Sequence, residues 1–361
     1  MRVESVEAFP LKIKAKERLQ GGMFSYSHYQ TVLVRAAVDG TEGWGEAMTR
    51  SDPRATALLV KHIAEGLRGR DFEDVKGAWS KSWKELRVRG HTRGVDVEAL
   101  SGIEIALYDA FGKLLKKPIS RIFAGAAPRE VPVFAGSLFS SRGPLESQIE
   151  FAKSRGLLGA KIKIGFGAEE DASLLRKVRG LWPEGMLVAD ANGAYDARGA
   201  REACSAFAPF GLAWFEEPVL SDDFEGYSRL KGSGVRIGGG ESWFAGDFQR
   251  PIDSRLIGVL EPSVSRCGGI GVEIEVGRRA RAKGIDFSPM TGMNSAISLA
   301  ASLHAASAVG SVGVEYNPFQ NPLQSELATG IGDPRRGKLR VPSGPGLGIE
   351  VDWRFVKSNS E

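Results

Sequence analysis

The sequence is short of several residue types and patterns, and each shortage excludes a class of protein. Its 361 residues include only two cysteines, Cys204 and Cys267, which form neither a disulfide framework nor a cysteine metal site and are typical of a reducing cytosol. There is no apolar run long enough to span a bilayer and no apolar signal-peptide core at the start. The net charge is only +4, without a basic stripe interleaved with aromatic residues. We therefore expect a cytoplasmic protein that binds a small molecule, and neither nucleic acid nor membrane.

Three carboxylates recur at a nearly constant interval in the second half of the chain, and each follows a short apolar run. Asp190 ends MLVAD, Glu216 ends AWFE and Glu241 ends VRIGGGE, at spacings of 26 and 25 residues. Lys163, the second lysine of GAKIKIG, lies 27 residues before Asp190. One strand, one helix and two short loops take about 25 residues. The spacing therefore predicts successive β/α units that place all four side chains on one rim.

The same interval extends in both directions along the chain. Further short apolar runs end at Ser137 upstream and at Ser263, Met290 and near Glu315 downstream, which makes eight runs. The stretches between them, such as EEDASLLRKVRGLW, have helical periodicity with a polar face. Eight such units predict a TIM-type (β/α)8 barrel, which we place at residues 126–330, with shortened or irregular final units.

The N-terminal part of the chain has a different pattern. Residues 2–13, 31–38 and 41–47 predict a three-stranded meander with Gly-rich turns, and three helical patterns follow it. We interpret residues 1–125 as a separate α+β domain. Residues 331–361 have no helical period, and we expect them to return to this first domain as a strand or loop.

The carboxylate cluster has a chemical implication of its own. Three carboxylates that converge on one point repel each other unless a cation lies between them. An all-oxygen ligand set favours Mg²⁺, with Mn²⁺ also possible, over zinc. The alternative is that Asp190, Glu216 and Glu241 are solvated loop acids or salt-bridge partners.

The two lysines of GAKIKIG form a second cluster. Lys161 and Lys163 are two positions apart on a predicted strand, so both side chains point to one face, here the barrel interior. Burial near a divalent cation would lower the pKa of at least one of them and make it a general base near neutral pH. The alternative is a pair of structural lysines that neighbouring acids satisfy.

These residues resemble the enolase superfamily, and within it the mandelate racemase subgroup (the mandelate racemase/muconate lactonizing enzyme family). The resemblance covers nearly the whole chain and implies an α+β capping domain followed by a modified TIM (β/α)-barrel. The segments at 160–171 and 214–219 look most like galactarolactone cycloisomerases and acid-sugar dehydratases. The motifs that carry the resemblance are the KxK pair Lys161/Lys163, the strand-end acids Asp190, Glu216 and Glu241, WFEEP, GWGEA at 43–47, SGIEIALYD at 101–109 and VPSGPGLGIEVD at 341–352.

The resemblance also implies a chemistry, which is proton abstraction next to a carboxylate with a metal that stabilises the resulting enediolate. In that chemistry Lys163 takes the α-proton, while Lys161 depresses its pKa and touches the carboxylate. Glu315 falls where an acid hydrogen-bonds the far carboxylate oxygen, and Asn192 is a substrate or supporting contact. A homo-oligomer is implied as well. The positions that would bind magnesium are Asp190, Glu216 and Glu241.

The chain departs from the subgroup at the positions of its second base. The subgroup usually has Asp at the end of strand six and His at the end of strand seven, where this chain has Ser263 and Met290. The chain has only four histidines, and His304 lies in an apolar helical stretch where packing explains it better than catalysis. We therefore predict one-base chemistry by Lys163, giving dehydration or cycloisomerisation of a hydroxylated (sugar) acid or its lactone.

Several residues are further candidates for substrate contact. Arg266 follows Ser263 by three positions and could bind a second substrate carboxylate, although a solvated loop arginine is the alternative. Tyr26 and His28, in the Gly-rich loop GGMFSYSHYQ, could close over the site and set specificity, or lie in an exposed turn. The full set of predicted substrate contacts is Asn192, Ser263, Arg266, Met290 and His28.

Other functions stay open from the sequence. The missing second base suggests a catalytically degenerate metal-binding relative with a binding or regulatory role, or an epimerase with an unrecognised second base. Phosphate binding through the glycines at 238–240 and 267–271 is a weak alternative, because they match no P-loop pattern.

Overall fold

The computed structural model describes residues 1–360, and its N-terminal part is an antiparallel sheet covered by helices. The sheet has the strand order β1-β2-β3. Four helices accompany it, and α3 packs directly on β3. We call this unit the cap. Its elements are β1 (Val3–Gln20), β2 (Ser25–Val38), β3 (Thr41–Met48), α1 (Pro53–Glu65), α2 (Val75–Val88), α3 (Val95–Leu114) and α4 (Ile119–Phe123).

The first two strands are longer than the sequence predicted. The structure continues β1 to Gln20 and starts β2 at Ser25, and His28 pairs with Lys14. Ala15 and Leu19 are buried in the extension, whereas most of its other residues are charged and exposed. Because most residues of the extension are charged, the alternation of apolar and polar residues that indicates a strand is not visible there. The expected Gly-rich loop is therefore a short turn, and His28 lies on a strand.

The second unit is the barrel, whose eight strands confirm the eight apolar runs. They are parallel, in the order β10-β9-β8-β7-β6-β5-β4-β11. Backbone hydrogen bonds from Val312 N to Phe287 O (3.0 Å) and from Glu315 N to Pro289 O (3.2 Å) close the ring. The strands are β4 (Glu130–Leu138), β5 (Gly159–Lys163), β6 (Met186–Asp190), β7 (Trp214–Glu216), β8 (Ile237–Gly239), β9 (Val259–Leu260), β10 (Asp286–Phe287) and β11 (Val314–Tyr316).

Helices alternate with these strands, as a (β/α) barrel requires. The units around β9 and β10 have only two strand residues each, which agrees with the expectation of shortened final units. Both cysteines are free and buried. The helices are α5 (Leu145–Ser154), α6 (Ala168–Leu181), α7 (Ala197–Phe207), α8 (Phe224–Arg229), α9 (Gln249–Asp253), α10 (Ile270–Ala282), α11 (Ala296–Val309) and α12 (Pro322–Ser325), with 3-10 turns at Ser140–Arg142 and Ala208–Phe210.

The C-terminal segment contacts the barrel first and then the cap. Its strand β13 pairs antiparallel with β4. The segment then ends in a short helix, where a strand or loop was expected, and the Trp353 ring lies 5.1 Å from that of Phe9 and 5.8 Å from that of Trp44. Its elements are β12 (Ala328–Thr329), β13 (Lys338–Arg340), β14 (Glu350–Val351) and α13 (Trp353–Asn359).

Within residues 1–360, no helix combines the length and the apolar character that crossing a membrane requires.

Candidate active site

Strand register brings the predicted rim residues together. Lys163 at the end of β5 pairs with Asp190 at the end of β6, and Asp190 pairs with Glu216 at the end of β7. Glu241 follows β8 by two residues, after Gly240, whose φ of 135° lies in a region that favours glycine. The constant spacing in the sequence thus corresponds to a common rim at the carboxyl ends of the strands.

The three carboxylates form a compact cluster that could hold a metal ion. Asp190, Glu216 and Glu241 each offer one oxygen, and these oxygens lie within 4.8 Å of one another. All three side chains are buried, so without a compensating cation they would repel strongly. Three hard oxygen donors from three separate strands fit a divalent cation such as Mg²⁺.

Each of these three carboxylates is paired with a cationic side chain of the protein. Lys163 Nζ donates a hydrogen bond to Asp190, and Lys161 Nζ lies 3.0 Å from Glu216 Oε2. Arg50, which the cap contributes from the loop after β3, donates to Glu241 Oε1. Burial and the neighbouring Asp190 raise the pKa of Glu216. Burial also acts to raise the pKa of Glu241, but Arg50 and the lysines outweigh it and lower that pKa to about 2.

The lysine pKa values differ from the sequence-based expectation. Burial acts to lower the pKa of Lys161, but Glu216, Glu315 and Asp190 raise it well above its usual value. Burial also acts to lower the pKa of Lys163, but Asp190 outweighs this effect and raises that pKa. The expected lowering presupposed a nearby metal ion. The protein's own carboxylates have the opposite effect.

Asn192 holds Lys163 in place. Lys163 Nζ donates to Asn192 Oδ1 at 2.9 Å, and the Asn192 backbone N–H donates to Asp190 Oδ1 at 3.0 Å. Asn192 adopts a left-handed backbone with φ of 47°, which asparagine tolerates better than most residues. The Phe24 ring of the cap lies 5.4 Å from Lys163 Nζ. The lysine is thus fixed between the barrel rim and the cap.

Glu315 and the acid after Glu216 lie around the cluster. Glu315 Oε2 accepts from Gly292 N at 3.0 Å and lies 3.3 Å from Lys161 Nζ, while Ser137 Oγ donates to Oε1 at 3.3 Å. Glu217 points away to Ser242, whose backbone N–H donates to it at 3.1 Å. Burial and Glu241 raise the pKa of Glu217 to about 7.

The two positions of the missing second base lie next to each other. Ser263 and Met290 form an isolated parallel bridge between the ends of β9 and β10. Ser263 is buried with its hydroxyl 3.5 Å from that of Ser265, and Met290 lines the cavity described below. Neither side chain can act as the second base of a racemase.

Arg266 is turned toward the cap. Its Nε lies 3.4 Å from Glu98 Oε1, and its guanidinium lies 4.9 Å from the centre of the Phe244 ring. Arg266 does not line the cavity described below, so it would have to move in order to bind a substrate carboxylate there. Sequence reasoning missed Arg50, which does line the cavity. Its position directly after the GWGEA strand was the available signal.

A cavity of about 70 Å³ lies between the cap and the barrel rim. The barrel contributes Lys161, Lys163, Glu241 and Glu315 to its wall. The cap contributes Arg50 and one face of the β1–β2 hairpin, where alternate residues point the same way. The lining residues of that face are Phe24, Tyr26, His28 and Gln30.

Known proteins resemble this chain over its whole length. The family model described as "Enolase C-terminal domain-like" matches residues 145–355, and that of the "Mandelate racemase / muconate lactonizing enzyme, N-terminal domain" matches residues 8–123. The D-galactarolactone cycloisomerase of Agrobacterium fabrum is 29% identical, with 98% of this chain and 97% of the relative covered. The arabinonate dehydratase of Saccharolobus solfataricus is 28% identical, with 87% and 86% covered.

A solved structure extends this likeness to three dimensions. A racemase from Streptomyces coelicolor with bound magnesium superimposes with a TM-score of 0.90 at 26% identity, with 99% of this chain and 100% of that chain covered. The cap-and-barrel architecture is therefore shared with an experimentally determined, magnesium-containing protein.

Proposed function

This chain belongs to the mandelate racemase/muconate lactonizing enzyme family of the enolase superfamily, and from that premise we propose a specific reaction for it. The protein removes the α-proton of a hydroxylated carboxylic acid or its lactone in a magnesium-dependent step. The outcome is dehydration or cycloisomerisation, the two reactions named for its relatives. The substrate class is a sugar acid.

One observation carries this proposal, which is the position of Lys163. Its ammonium group lies on the cavity wall, held by Asp190 and Asn192, while Ser263 and Met290 occupy the positions opposite. A racemase needs a base on each face of the planar intermediate, and the barrel supplies one only on the Lys163 side. A one-base reaction is therefore favoured.

Asp190, Glu216 and Glu241 would hold the metal, Mg²⁺ or, as an alternative, Mn²⁺. When bound, such an ion stabilises the negative charge that develops on the substrate carboxylate. Glu315 lies 3.3 Å from Lys161 and orients it. Lys161 would then donate to the substrate carboxylate, and Glu315 would hydrogen-bond its far oxygen. With a cation held by the three carboxylates, Asp190 would no longer raise the pKa of Lys163, and Lys163 in its neutral form could accept the α-proton.

Substrate entry requires a change in the cap. The cavity of about 70 Å³ is small for a sugar acid, whereas ligand pockets typically measure about 300 to 1,000 Å³. We expect the β1–β2 hairpin to open for binding and to close again for the reaction, which excludes water from the reacting atoms.

The test is exchange of the α-proton in D2O, followed by NMR, with magnesium and a panel of aldonic acids, aldaric acids and their lactones. We expect exchange with at least one acid, and a loss of about a hundredfold or more in Lys163→Ala, because a positioned base contributes at least that much. Lys84→Ala, which removes an exposed lysine of α2, is the matched control. Full exchange in Lys163→Ala would contradict the proposal.

A further inference from the structure

The proposed elimination needs a proton donor for the departing oxygen, and the barrel wall lacks an obvious one. Ser263 and Met290 replace the usual acidic and imidazole groups there. Lys161 and Lys163 are engaged with the carboxylates. A hydroxyl group attached to carbon is a poor leaving group until it is protonated, so an acid contributes strongly to the rate.

The cap provides candidates on the opposite wall of the cavity. Its cavity-lining side chains that are titratable are Arg50, Tyr26, Tyr29 and His28. Arg50 is paired with Glu241, and the Tyr29 hydroxyl donates to Gln320 O at 2.7 Å. His28 and Tyr26 remain. Imidazole exchanges protons in the physiological pH range, which a phenol does not do readily.

The geometry of β2 directs His28 at the substrate space. Tyr26 and His28 alternate along one face of β2, and Phe24, which directly precedes this strand, has its ring 5.4 Å from Lys163 Nζ. His28 Nδ1 lies 2.9 Å from Ser27 Oγ. When Ser27 donates to Nδ1, the proton of the neutral ring is on Nε2, and the imidazolium also carries a proton there. A substrate in the cavity thus has Lys163 on its barrel side and His28 on its cap side.

Resting on the proposed function, we propose that His28 is the catalytic proton donor to the oxygen that leaves the substrate. Lys163 takes the α-proton, and the electron pair of the broken C–H bond forms the enediolate. The electron pair of the enediolate then forms a double bond to the next carbon, the carbon–oxygen bond there breaks, and the electron pair of that bond goes to oxygen. His28 gives this oxygen a proton, so a hydroxyl leaves as water or a ring ether opens to a hydroxyl, whereas the ring oxygen of a lactone leaves as a carboxylate and needs no proton. Solvent reprotonates His28, and the enol product takes a proton at carbon to become a 2-keto acid, with no net oxidation or reduction.

The test separates the two proton transfers in the full chain loaded with Mg²⁺. In His28→Gln we expect α-proton exchange in D2O to stay within about threefold of wild type, whereas formation of the 2-keto acid falls by about a hundredfold or more. Lys163→Ala should lose both reactions. His62→Gln, which changes an exposed histidine of α1, is the control and should retain both.

A fluorinated substrate distinguishes catalysis from a structural effect. Fluoride leaves without being protonated. An analogue with fluorine in place of the leaving hydroxyl should therefore lose fluoride in His28→Gln at a rate within about threefold of the wild-type rate. Undiminished elimination of the natural acid by His28→Gln would overturn the assignment, as would loss of exchange together with elimination, or wild-type epimerisation without elimination. If wild type shows no Lys163-dependent exchange, the proposed function itself fails.

Discussion

At the residue scale, Arg50 links the cap to the cluster of three carboxylates on the barrel rim. Its guanidinium donates to Glu241, which lies 191 positions away in the sequence, and its side chain is 34% exposed at the cavity. A metal ion bound at the three carboxylates would therefore compete with Arg50 for Glu241. The positive charges of the ion and of Arg50 would also repel each other at short range.

This competition leads to a prediction for metal affinity. Arg50→Gln removes the competing cation, so we expect Mg²⁺ to bind about tenfold more tightly, which corresponds to about 1.4 kcal/mol. Calorimetric titration with Mg²⁺ and spectroscopic titration with Mn²⁺ measure this directly. Arg89→Gln, an exposed arginine after α2, should leave the affinity unchanged. Unchanged or weaker binding in Arg50→Gln would show that the ion pair does not oppose the metal.

At the element scale, the contact between β3 and α3 depends on Gly45, which has no side chain. A Cβ placed on Gly45 would lie 2.0 Å from Gly102 O and 2.6 Å from Ala106 N, both in α3. The strand therefore packs directly against the helix backbone. This contact positions the end of β3, and with it the loop that carries Arg50.

Gly45→Ala should accordingly be destabilising. The methyl group cannot fit without separating β3 from α3, so we expect a loss of about 2 to 3 kcal/mol in the free energy of unfolding. Denaturant titration followed by circular dichroism measures it. Gly180→Ala in α6 is the control, because a Cβ there has nothing within 4 Å, and it should be neutral or slightly stabilising. Equal stability of the two variants would refute the packing argument.

At the scale of the whole molecule, cap carboxylates bind the N-termini of barrel helices. Glu46 accepts from Ser295 N at 3.0 Å and from Ser298 N at 3.1 Å at the start of α11. Glu104 accepts from Ile270 N and Gly271 N at 2.7 Å each at the start of α10. Of the two glycine groups that suggested a phosphate site, the one at 267–271 thus lies at a helix start that Glu104 already occupies. The expected homo-oligomer stays a prediction.

His304 on α11 is hydrogen-bonded to two distant segments of the chain, and its protonation is expected to make the stability of the fold depend on pH. Its Nδ1 accepts from Ser120 N at 3.3 Å, and its Nε2–H donates to Leu347 O at 3.1 Å. Burial lowers the pKa of His304 to about 4. The unfolded chain therefore binds a proton at higher pH than the folded protein does. Stability from the neutral ring is complete above about pH 6.5 and falls as the pH drops toward 4, by about 3 kcal/mol in total.

The measurement is the free energy of unfolding between pH 7 and pH 4.5 for wild type and His304→Gln. The variant should be less stable at pH 7 because a buried site is altered, but its stability should fall less steeply with decreasing pH. His62→Gln, which changes an exposed histidine, should keep the wild-type slope. If wild type and His304→Gln have the same slope, the protonation of His304 does not contribute.

The barrel and its three converging carboxylates could be predicted from the sequence, because the pattern that indicates them is local and repeats at a near-constant interval. Each strand and helix unit repeats at a near-constant interval, and parallel strands present their carboxyl ends on one rim. Asp190, Glu216, Glu241 and Lys163 therefore had to converge once the period was recognised. The same interval placed the ends of two further strands at Ser263 and Met290, which the structure shows to be bridged to each other.

Only the tertiary structure decided which cap residues reach this rim. His28 lies on a strand whose polar, exposed extension masked its pattern, and its orientation follows from pairing with Lys14. Arg50 meets Glu241, and Arg266 turns toward Glu98, because the cap is docked on the barrel through contacts between distant parts of the chain. Such contacts have no period along the sequence. The sequence by itself therefore determined the barrel, the carboxylate triad and the lysine pair beside it, whereas docking of the cap decided the rest of the cavity.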